Sequence, residues 1–232
     1  TYFGDTARVP YGSKSKDTII RYSRQIIRFL KTKNVKAIVV ACNTASAFAL
    51  DTIEKEIDIP IIGVVKPGAK SAVESTKNKR IGIIGTEGTI KSELYTQYIH
   101  SIDPEITVVG KACPLFVPLV EEGMLHDSVT DEVASRYLES MKEENIDSLI
   151  LGCTHYPLLR STVGKIMGPE VNLVNPAYET AISLDGLLRP DKDAKPEYEF
   201  YVSDAEEKFK EFANSIMPLH IEKINQINIE EY

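Results

Sequence analysis

The sequence predicts an α/β fold with two pseudo-symmetric lobes, and three observations support that prediction. Short runs of aliphatic and β-branched residues alternate along the chain with helix-like patterns. Most of these runs are apolar at every position, which is typical of a mainly parallel sheet covered on both faces by helices. The third observation is an internal repeat, which places the same helix–strand unit in both halves of the chain.

The predicted elements follow one another in a regular order. Residues 17–33 carry apolar side chains at spacings of three and four, which predicts an amphipathic helix. A second helix is predicted from about 44 to 57, and residues 209–227 read as a helix followed by a strand or short irregular end. "TYFG" at the start reads as the end of a strand. The remaining strands are predicted at 36–41, 59–65, 80–85, 106–112, 149–152 and 171–175.

The internal repeat is the most informative part of this pattern. "NVKAIVVAC" ends at Cys42 and "NIDSLILGC" ends at Cys153, with an asparagine, three aliphatic residues, a small residue and the cysteine in one register. The offset is 153 minus 42, or 111 residues, which is about one compact domain. Each copy follows a predicted amphipathic helix. A duplicated unit explains this match better than a chance likeness between two buried strands.

The repeat has a chemical consequence, because ligands of open parallel sheets bind beyond the carboxyl ends of the strands. Cys42 and Cys153 both stand at such ends, and two facing lobes would bring their thiols to opposite sides of one ligand. Inversion of a carbon centre requires one group to remove a proton while another delivers a proton to the opposite face. A thiol can serve as either group once its environment adjusts its pKa from the usual value of about 8.5.

Composition limits the other classes of function. The 232 residues are 43% hydrophobic and 26% charged, as in an ordinary soluble globular protein. A net charge of -7 argues against a nucleic-acid partner. The chain shows neither a signal segment nor an apolar run near the ~20 residues that span a bilayer, so no membrane partner is expected. Three cysteines make no disulfide framework and predict a cytoplasmic protein, with Cys113 in the core.

Several motifs carry a resemblance to one family. "VVACNTAS" and "LILGCTHYP" resemble the paired cysteine signatures of glutamate racemases, in the cofactor-independent aspartate/glutamate racemase superfamily. The likeness extends through "YFGDTARVPYG", "GVVKPGA", "GIIGTEGTI" and "CPLFVPLVEEG". It implies that glutamate is the substrate, that no cofactor or metal is needed, and that the product D-glutamate supplies peptidoglycan synthesis. No lysine motif suggests that the substrate forms a Schiff base. Homodimers are common among such enzymes, so a homodimer is a further expectation.

The resemblance also implies roles for individual residues. The Cys42 thiolate would remove the α-proton of D-glutamate while the Cys153 thiol reprotonates the other face, and the roles would reverse for L-glutamate. His155 would assist Cys153, and Asp5 and Glu121 would act near the site without being the bases. Contacts to the carboxylates and ammonium of the substrate would come from Pro10, Tyr11, Gly12, Asn43, Thr44, Thr86, Thr89 and Thr154.

Most of these residues also have a structural interpretation. A cysteine at a strand end is usually core, and an isolated histidine is more often a hydrogen-bonded structural residue than a catalyst. Asp5 and Glu121 would ordinarily be solvated, and Thr86 and Thr89 would ordinarily cap a helix. Only the paired context of the two cysteines reverses this expectation.

Two functions of other classes stay open. A thiol hydrolase would use Cys153 with His155, although hydrolases usually recruit a histidine from distant sequence and Cys42 would then have no role. A noncatalytic two-lobed binder of acidic amino acids would tolerate serine at both cysteines. Among racemases, aspartate is the nearest alternative substrate, and the histidine of "CTHYP" with the "PYG" turn favours glutamate.

The repeat and the resemblance together predict the lobe boundaries. The first lobe should comprise residues 1–66 and 177–232, and the second lobe residues 67–176. Glutamate racemases begin with a strand that ends in Asp-Ser-Gly, and this motif is not in the sequence. We therefore expect the biological protein to carry a further N-terminal segment that supplies a central strand of the first lobe.

Overall fold

The structure is a computed structural model that describes residues 1–188 and 195–232. Strands and helices alternate along most of the chain, as the sequence predicts. The strands are β1 (Tyr2–Gly4), β2 (Ile38–Val40), β3 (Ile61–Gly63), β4 (Arg80–Gly85), β5 (Thr107–Ala112), β6 (Ser148–Gly152), β7 (Asn172–Val174), β8 (Phe200–Val202) and β9 (Asn225–Gln226). The helices are α1 (Lys16–Lys31), α2 (Asn43–Phe48), α3 (Leu50–Ile53), α4 (Val65–Ser75), α5 (Glu87–Lys91), α6 (Leu94–Ile102), α7 (Phe116–Glu121), α8 (Ser128–Glu143), α9 (Arg160–Met167), α10 (Pro176–Leu188) and α11 (Glu206–Ile216). Short 3-10 helices cover Tyr156–Leu159 and Ile229–Glu231.

The second lobe is built on a parallel sheet in the order β5-β4-β6-β7. Every residue of β6 is buried, so both faces of the sheet are covered. Because side chains alternate along a strand, Leu149 and Leu151 pack on one face with Leu138 of α8. Ile150 packs on the other face with Tyr95 of α6. The prediction of strands that are apolar on both faces is confirmed.

The first lobe contains two parallel sheets. β2 pairs with β3, and β1, β8 and β9 form the second sheet. Phe29 of α1 packs against Phe3 of β1 and Tyr201 of β8, with ring centroids 5.5 and 5.0 Å apart. The sequence predictions missed β8, because its three residues are too short a run to stand out from the surrounding charged segment. The lobe boundaries stay predictions.

Two predicted elements differ from the structure near the first cysteine. The helix predicted over 44–57 is two short helices, α2 and α3, which meet at Ala49, where φ is -111°. The strand predicted over 59–65 ends at Gly63, because Val65 already begins α4. The start of a buried helix is as apolar as a buried strand, so hydropathy alone did not separate the two.

The structure confirms the internal repeat. Helices α1 and α8 each have 16 residues. Each is followed by an asparagine with a φ of 52°, Asn34 in the first copy and Asn145 in the second. Asparagine tolerates this left-handed conformation better than most residues, which explains why it recurs at one register. A strand follows in each copy and leads to Cys42 or Cys153.

Candidate active site

The two cysteines of the repeat lie at equivalent positions in the two lobes. Cys42 follows β2 and is the N-cap of α2, where its Sγ accepts the backbone N–H of Ala45 at 3.5 Å. Cys153 follows β6 and precedes the 3-10 helix that begins at Tyr156. Cys153 is 7% exposed, and Cys42 is partly exposed. Both thiols therefore stand beyond the carboxyl ends of parallel strands, as predicted.

Burial controls the acidity of both thiols. It raises the pKa of Cys42 above its ordinary value and raises the pKa of Cys153 to about 12. Backbone N–H groups oppose these shifts, from Ala45 and Thr44 at Cys42 and from His155 at Cys153. A negative charge on Cys42 raises the pKa of Cys153 further, so the two thiols lie within electrostatic range of each other. In the free protein both groups are neutral thiols near neutral pH.

The raised thiol pKa values predict a loss of stability at alkaline pH. Cys153 has a pKa of about 12, well above that of a thiol in the unfolded chain, so the folded state keeps a proton that the unfolded chain releases. This contribution is complete below about pH 9 and is lost as the pH rises toward about 12, at up to about 1.4 kcal/mol per pH unit for each thiol. Unfolding by urea at about pH 8 and about pH 10 should show a smaller decline for Cys153→Ala than for the parent protein. An equal decline in the two proteins would contradict this prediction.

A histidine links Cys153 to a carboxylate. His155 Nδ1 lies 3.8 Å from Cys153 Sγ, and His155 Nε2 lies 3.2 Å from Oε1 of Glu121 at the end of α7. Burial lowers the pKa of His155, and Glu121 opposes that shift without reversing it, so the imidazole is neutral near neutral pH. A neutral imidazole oriented by a carboxylate can accept a proton from a thiol and return it. The structure thus brings these three residues together, and their catalytic roles stay predictions.

Tyr156 anchors the turn that carries Cys153 and His155. Its side chain is fully buried, and its ring meets the edge of Phe116 with centroids 5.1 Å apart. Its hydroxyl donates to the backbone oxygen of Cys113 at 2.7 Å. Cys113 itself is fully buried in the core, as its apolar context predicts.

Three threonines from the two lobes form a hydroxyl cluster. Thr44 Oγ1 of α2 lies 2.9 Å from Thr86 Oγ1 and 3.3 Å from Thr89 Oγ1, and the last two atoms are 3.1 Å apart. Thr86 is also the N-cap of α5 and accepts the N–H of Thr89 at 3.2 Å, which confirms its helix-capping interpretation. Hydroxyls and N–H groups at helix starts can bind a carboxylate without a cation. Three of the predicted substrate contacts therefore lie side by side.

The turn at Pro10, Tyr11 and Gly12 packs on this cluster. The backbone oxygen of Gly12 accepts the N–H of Gly88 at 3.1 Å. A Cβ atom added to Gly12 would lie 2.6 Å from the Cβ atom of Thr86, so a larger residue would displace the cluster. Pro10 follows a cis peptide bond and is exposed, whereas Tyr11 is buried.

Asp5 is buried among side chains that hold its charge. Arg8 Nε lies 2.9 Å from each carboxylate oxygen, and the hydroxyls of Tyr11 and Ser203 donate to the same carboxylate. The solvated interpretation of Asp5 is therefore wrong, and the sequence predictions missed its partner Arg8. Burial and then Asp5 raise the pKa of Tyr11, and a charge on Cys42 adds to that shift. The catalytic role of Asp5 stays a prediction.

Asn43 and Thr154 directly follow the two cysteines. Thr154 is exposed, and its Oγ1 lies 3.3 Å from His155 Nδ1. Asn43 is 4% exposed, and its Oδ1 accepts the hydroxyl of Tyr95 at 2.6 Å. The sequence predictions missed Tyr95, because nothing in the pattern of α6 distinguishes it from an ordinary core tyrosine.

Residues 1–188 and 195–232 contain neither a metal-binding cluster nor a membrane-spanning helix. Within these ranges, no group of three or more His, Cys, Asp or Glu side chains is placed to hold a metal ion. In the same part of the chain, no helix is both long enough and apolar enough to cross a membrane.

The two similar lobes and their paired cysteines define an amino-acid racemase with an α/β fold. The family model described as Asp/Glu/hydantoin racemase matches residues 1–181, and the chain belongs to this family. It is therefore an enzyme of the isomerase class.

Three similar proteins are named glutamate racemases. The one from Geobacter metallireducens is 45% identical over 99% of this chain and 87% of its own length. A solved isoform from Bacillus anthracis has a TM-score of 0.94 at 36% identity and covers 97% of this chain and 86% of that chain. The structure from Francisella tularensis, in complex with D-glutamate, has a TM-score of 0.92 at 36% identity and covers 100% of this chain and 88% of that chain. These matches confirm the family and the two-lobed fold.

Proposed function

We propose that this enzyme interconverts L- and D-glutamate by proton transfer between two cysteines. The observation that carries the proposal is the placement of Cys42 and Cys153 at equivalent strand ends of the two lobes, within electrostatic range of each other. Similarity to proteins named glutamate racemases, one of them solved with D-glutamate, supports the choice of substrate.

Two thiols on opposite sides of the substrate account for inversion. The Cys42 thiolate removes the α-proton of D-glutamate, and the Cys153 thiol donates its proton to the opposite face of the α-carbon. The reaction from L-glutamate uses the same groups in reverse order. Each turnover converts one thiolate to a thiol and the other thiol to a thiolate, so atoms and charge balance without a further reactant.

The substrate ammonium group supplies a positive charge beside the two thiols. Burial holds both thiols protonated in the free protein. An ammonium group bound beside them stabilises a thiolate and lowers its pKa. The N–H of Ala45 at the start of α2 does the same at Cys42, and His155 with Glu121 takes up or returns the proton of Cys153.

Neutral donors hold the two carboxylates of glutamate. The hydroxyls of Thr44, Thr86 and Thr89 form one group of donors, and the remaining donors proposed are Tyr11, Gly12, Asn43 and Thr154 through their backbone or side chains. Pro10 has no N–H, so its proposed contact with the substrate is a packing contact of its ring. Such groups, already fixed by the fold, stabilise the negative charge that grows on the α-carboxylate as the proton leaves. No cofactor takes part in this scheme.

The product sets the proposed biological role. D-Glutamate made by this enzyme would enter peptidoglycan synthesis, as the family resemblance implies. A cytoplasmic location stays a prediction, supported by the low cysteine content. A homodimer also stays a prediction, supported by the family resemblance.

Proton NMR in D2O tests the proposed function. The protein is mixed with D- or L-glutamate without pyridoxal phosphate, and aspartate is followed in a parallel sample. The expected result is loss of the glutamate α-proton signal, together with appearance of the other enantiomer on chiral chromatography of the same sample. Faster exchange of aspartate would identify an aspartate racemase, and no exchange of either amino acid would favour the acidic amino-acid binder. Ester or amide hydrolysis lost on alkylation of Cys153 would favour the thiol hydrolase.

A further inference from the structure

A single buried tyrosine connects the surroundings of the two cysteines. Tyr95 belongs to α6 of the second lobe and is 2% exposed. Its hydroxyl donates to Oδ1 of Asn43 in the first lobe at 2.6 Å. Asn43 is the residue after Cys42, so this hydrogen bond joins α6 to the start of the helix that carries the first thiol.

The tyrosine also lies near the second cysteine motif. A Cβ atom added to Gly152 would lie 3.6 Å from Tyr95 Cε2, and Gly152 immediately precedes Cys153. A Cβ atom added to Gly68 would lie 3.3 Å from Tyr95 Oη. The phenol ring therefore lies beside Gly152, the neighbour of Cys153, while its hydroxyl binds Asn43, the neighbour of Cys42.

The hydroxyl of Tyr95 keeps its proton at every physiological pH. Burial raises its pKa above the ordinary value, and a negative charge on Cys153 raises it further. A permanent donor needs an acceptor, and in the asparagine amide only Oδ1 can accept. The Nδ2 end of Asn43, which only donates, is thus the end left for another partner.

We propose that Tyr95 is a positioning residue that fixes the orientation of the Asn43 amide, so that its Nδ2 end donates to the substrate carboxylate beside Cys42. This inference rests on the proposed function. Without the Tyr95 hydroxyl the amide can rotate, present its oxygen to the carboxylate and repel it. The effect falls mainly on the proton transfer at Cys42, because Asn43 is bonded to that residue.

The variant Tyr95→Phe removes one oxygen and keeps the ring that lies beside Gly152. We expect kcat/KM to fall roughly tenfold, the size expected for one lost hydrogen bond near the reacting atoms. The fall must be equal in both directions, because enantiomers have equal free energies. The isotope effect on kcat/KM does distinguish the two directions. It should rise with α-deuterated D-glutamate, whose deuteron Cys42 removes. It should fall with α-deuterated L-glutamate, whose deuteron Cys153 removes. Unchanged or equally changed isotope effects would overturn the proposal.

A double-variant cycle tests whether Tyr95 acts through Asn43. Tyr95→Phe should have no further effect on kcat/KM in an Asn43→Ala background. A second tenfold fall in that background would overturn the proposal. Thr130→Val is the matched control, since it also removes a buried hydroxyl that donates to an oxygen, the backbone oxygen of Met124 at 2.6 Å. This control variant should be less stable than the parent protein, but its two isotope effects should not change in opposite directions. Opposite changes in the control as well would mean that the loss of any buried hydroxyl causes them, and would contradict the role of Tyr95.

The variant Asn43→Asp gives a test that does not depend on changing Tyr95. The aspartate keeps an acceptor for the Tyr95 hydroxyl but replaces the Nδ2 donor with an oxygen. We expect KM for glutamate to rise more than in Asn43→Ala, because the new oxygen repels the substrate carboxylate. A KM equal to that of the parent would overturn the proposal. Absence of racemisation by the parent protein would instead defeat the proposed function, so the two failures are distinguishable.

Discussion

Replacing Cys153 with alanine should lower racemisation at least about a thousandfold, while D-glutamate still exchanges its α-proton with solvent. In the proposed mechanism Cys42 faces the α-proton of the D-enantiomer, and it can remove and return a proton at that face without its partner. Cys42→Ala should give the opposite result, in which only L-glutamate exchanges. Proton NMR in D2O measures exchange, and chiral chromatography of the same samples measures inversion.

The third cysteine provides the matched control for this experiment. Cys113 is fully buried in the core, and its Sγ donates to the backbone oxygen of Lys111 at 3.8 Å. Cys113→Ala should therefore racemise glutamate at nearly the parent rate, although the cavity that it leaves lowers stability. Exchange of both enantiomers by each single-cysteine variant would contradict the assignment of one thiol to each face.

Replacing Arg8 with methionine should lower the free energy of unfolding by about 3–5 kcal/mol, because it leaves the Asp5 carboxylate buried without a cation. The Arg8 and Asp5 side chains are 9% and 6% exposed, so water has little access to the charge that remains. The change also removes the guanidinium from the face of the Tyr22 ring, 4.0 Å from its centroid. Urea unfolding measures the loss. Asp5→Asn in the same background should restore part of it, because the uncompensated charge is then gone.

An exposed ion pair of similar geometry is the control for the Arg8 variant. Arg24 and Glu56 lie 2.6 Å apart, but their side chains are 41% and 39% exposed. Arg24→Met should therefore change the free energy of unfolding far less than Arg8→Met does. Equal losses in the two variants would contradict the role of burial. Simple addition of the Arg8→Met and Asp5→Asn effects would contradict the direct pairing of these residues.

Local features of the chain were sufficient to predict much of this architecture. Apolar strands that alternate with amphipathic helices indicate a parallel α/β fold, and the recurrence of asparagine and cysteine at one register indicates the repeat. Asn34 and Asn145 show why the repeat can be recognised in the sequence, since both adopt the same left-handed conformation after helices of equal length. These features depend on backbone conformation and burial of single residues, which short stretches of sequence report directly.

The partners of particular residues were decided only by the tertiary structure. Strand β8 pairs with β1, and Ser203 donates to Asp5 across 198 positions. Tyr95 reaches Asn43 across 52 positions and a change of lobe. A buried tyrosine or aspartate has the same local pattern whichever acceptor or cation it meets, because hydropathy reports that a side chain is buried and not what it contacts. The cysteines could therefore be placed at their strand ends from sequence, whereas the side chains that orient them depend on how the two lobes pack.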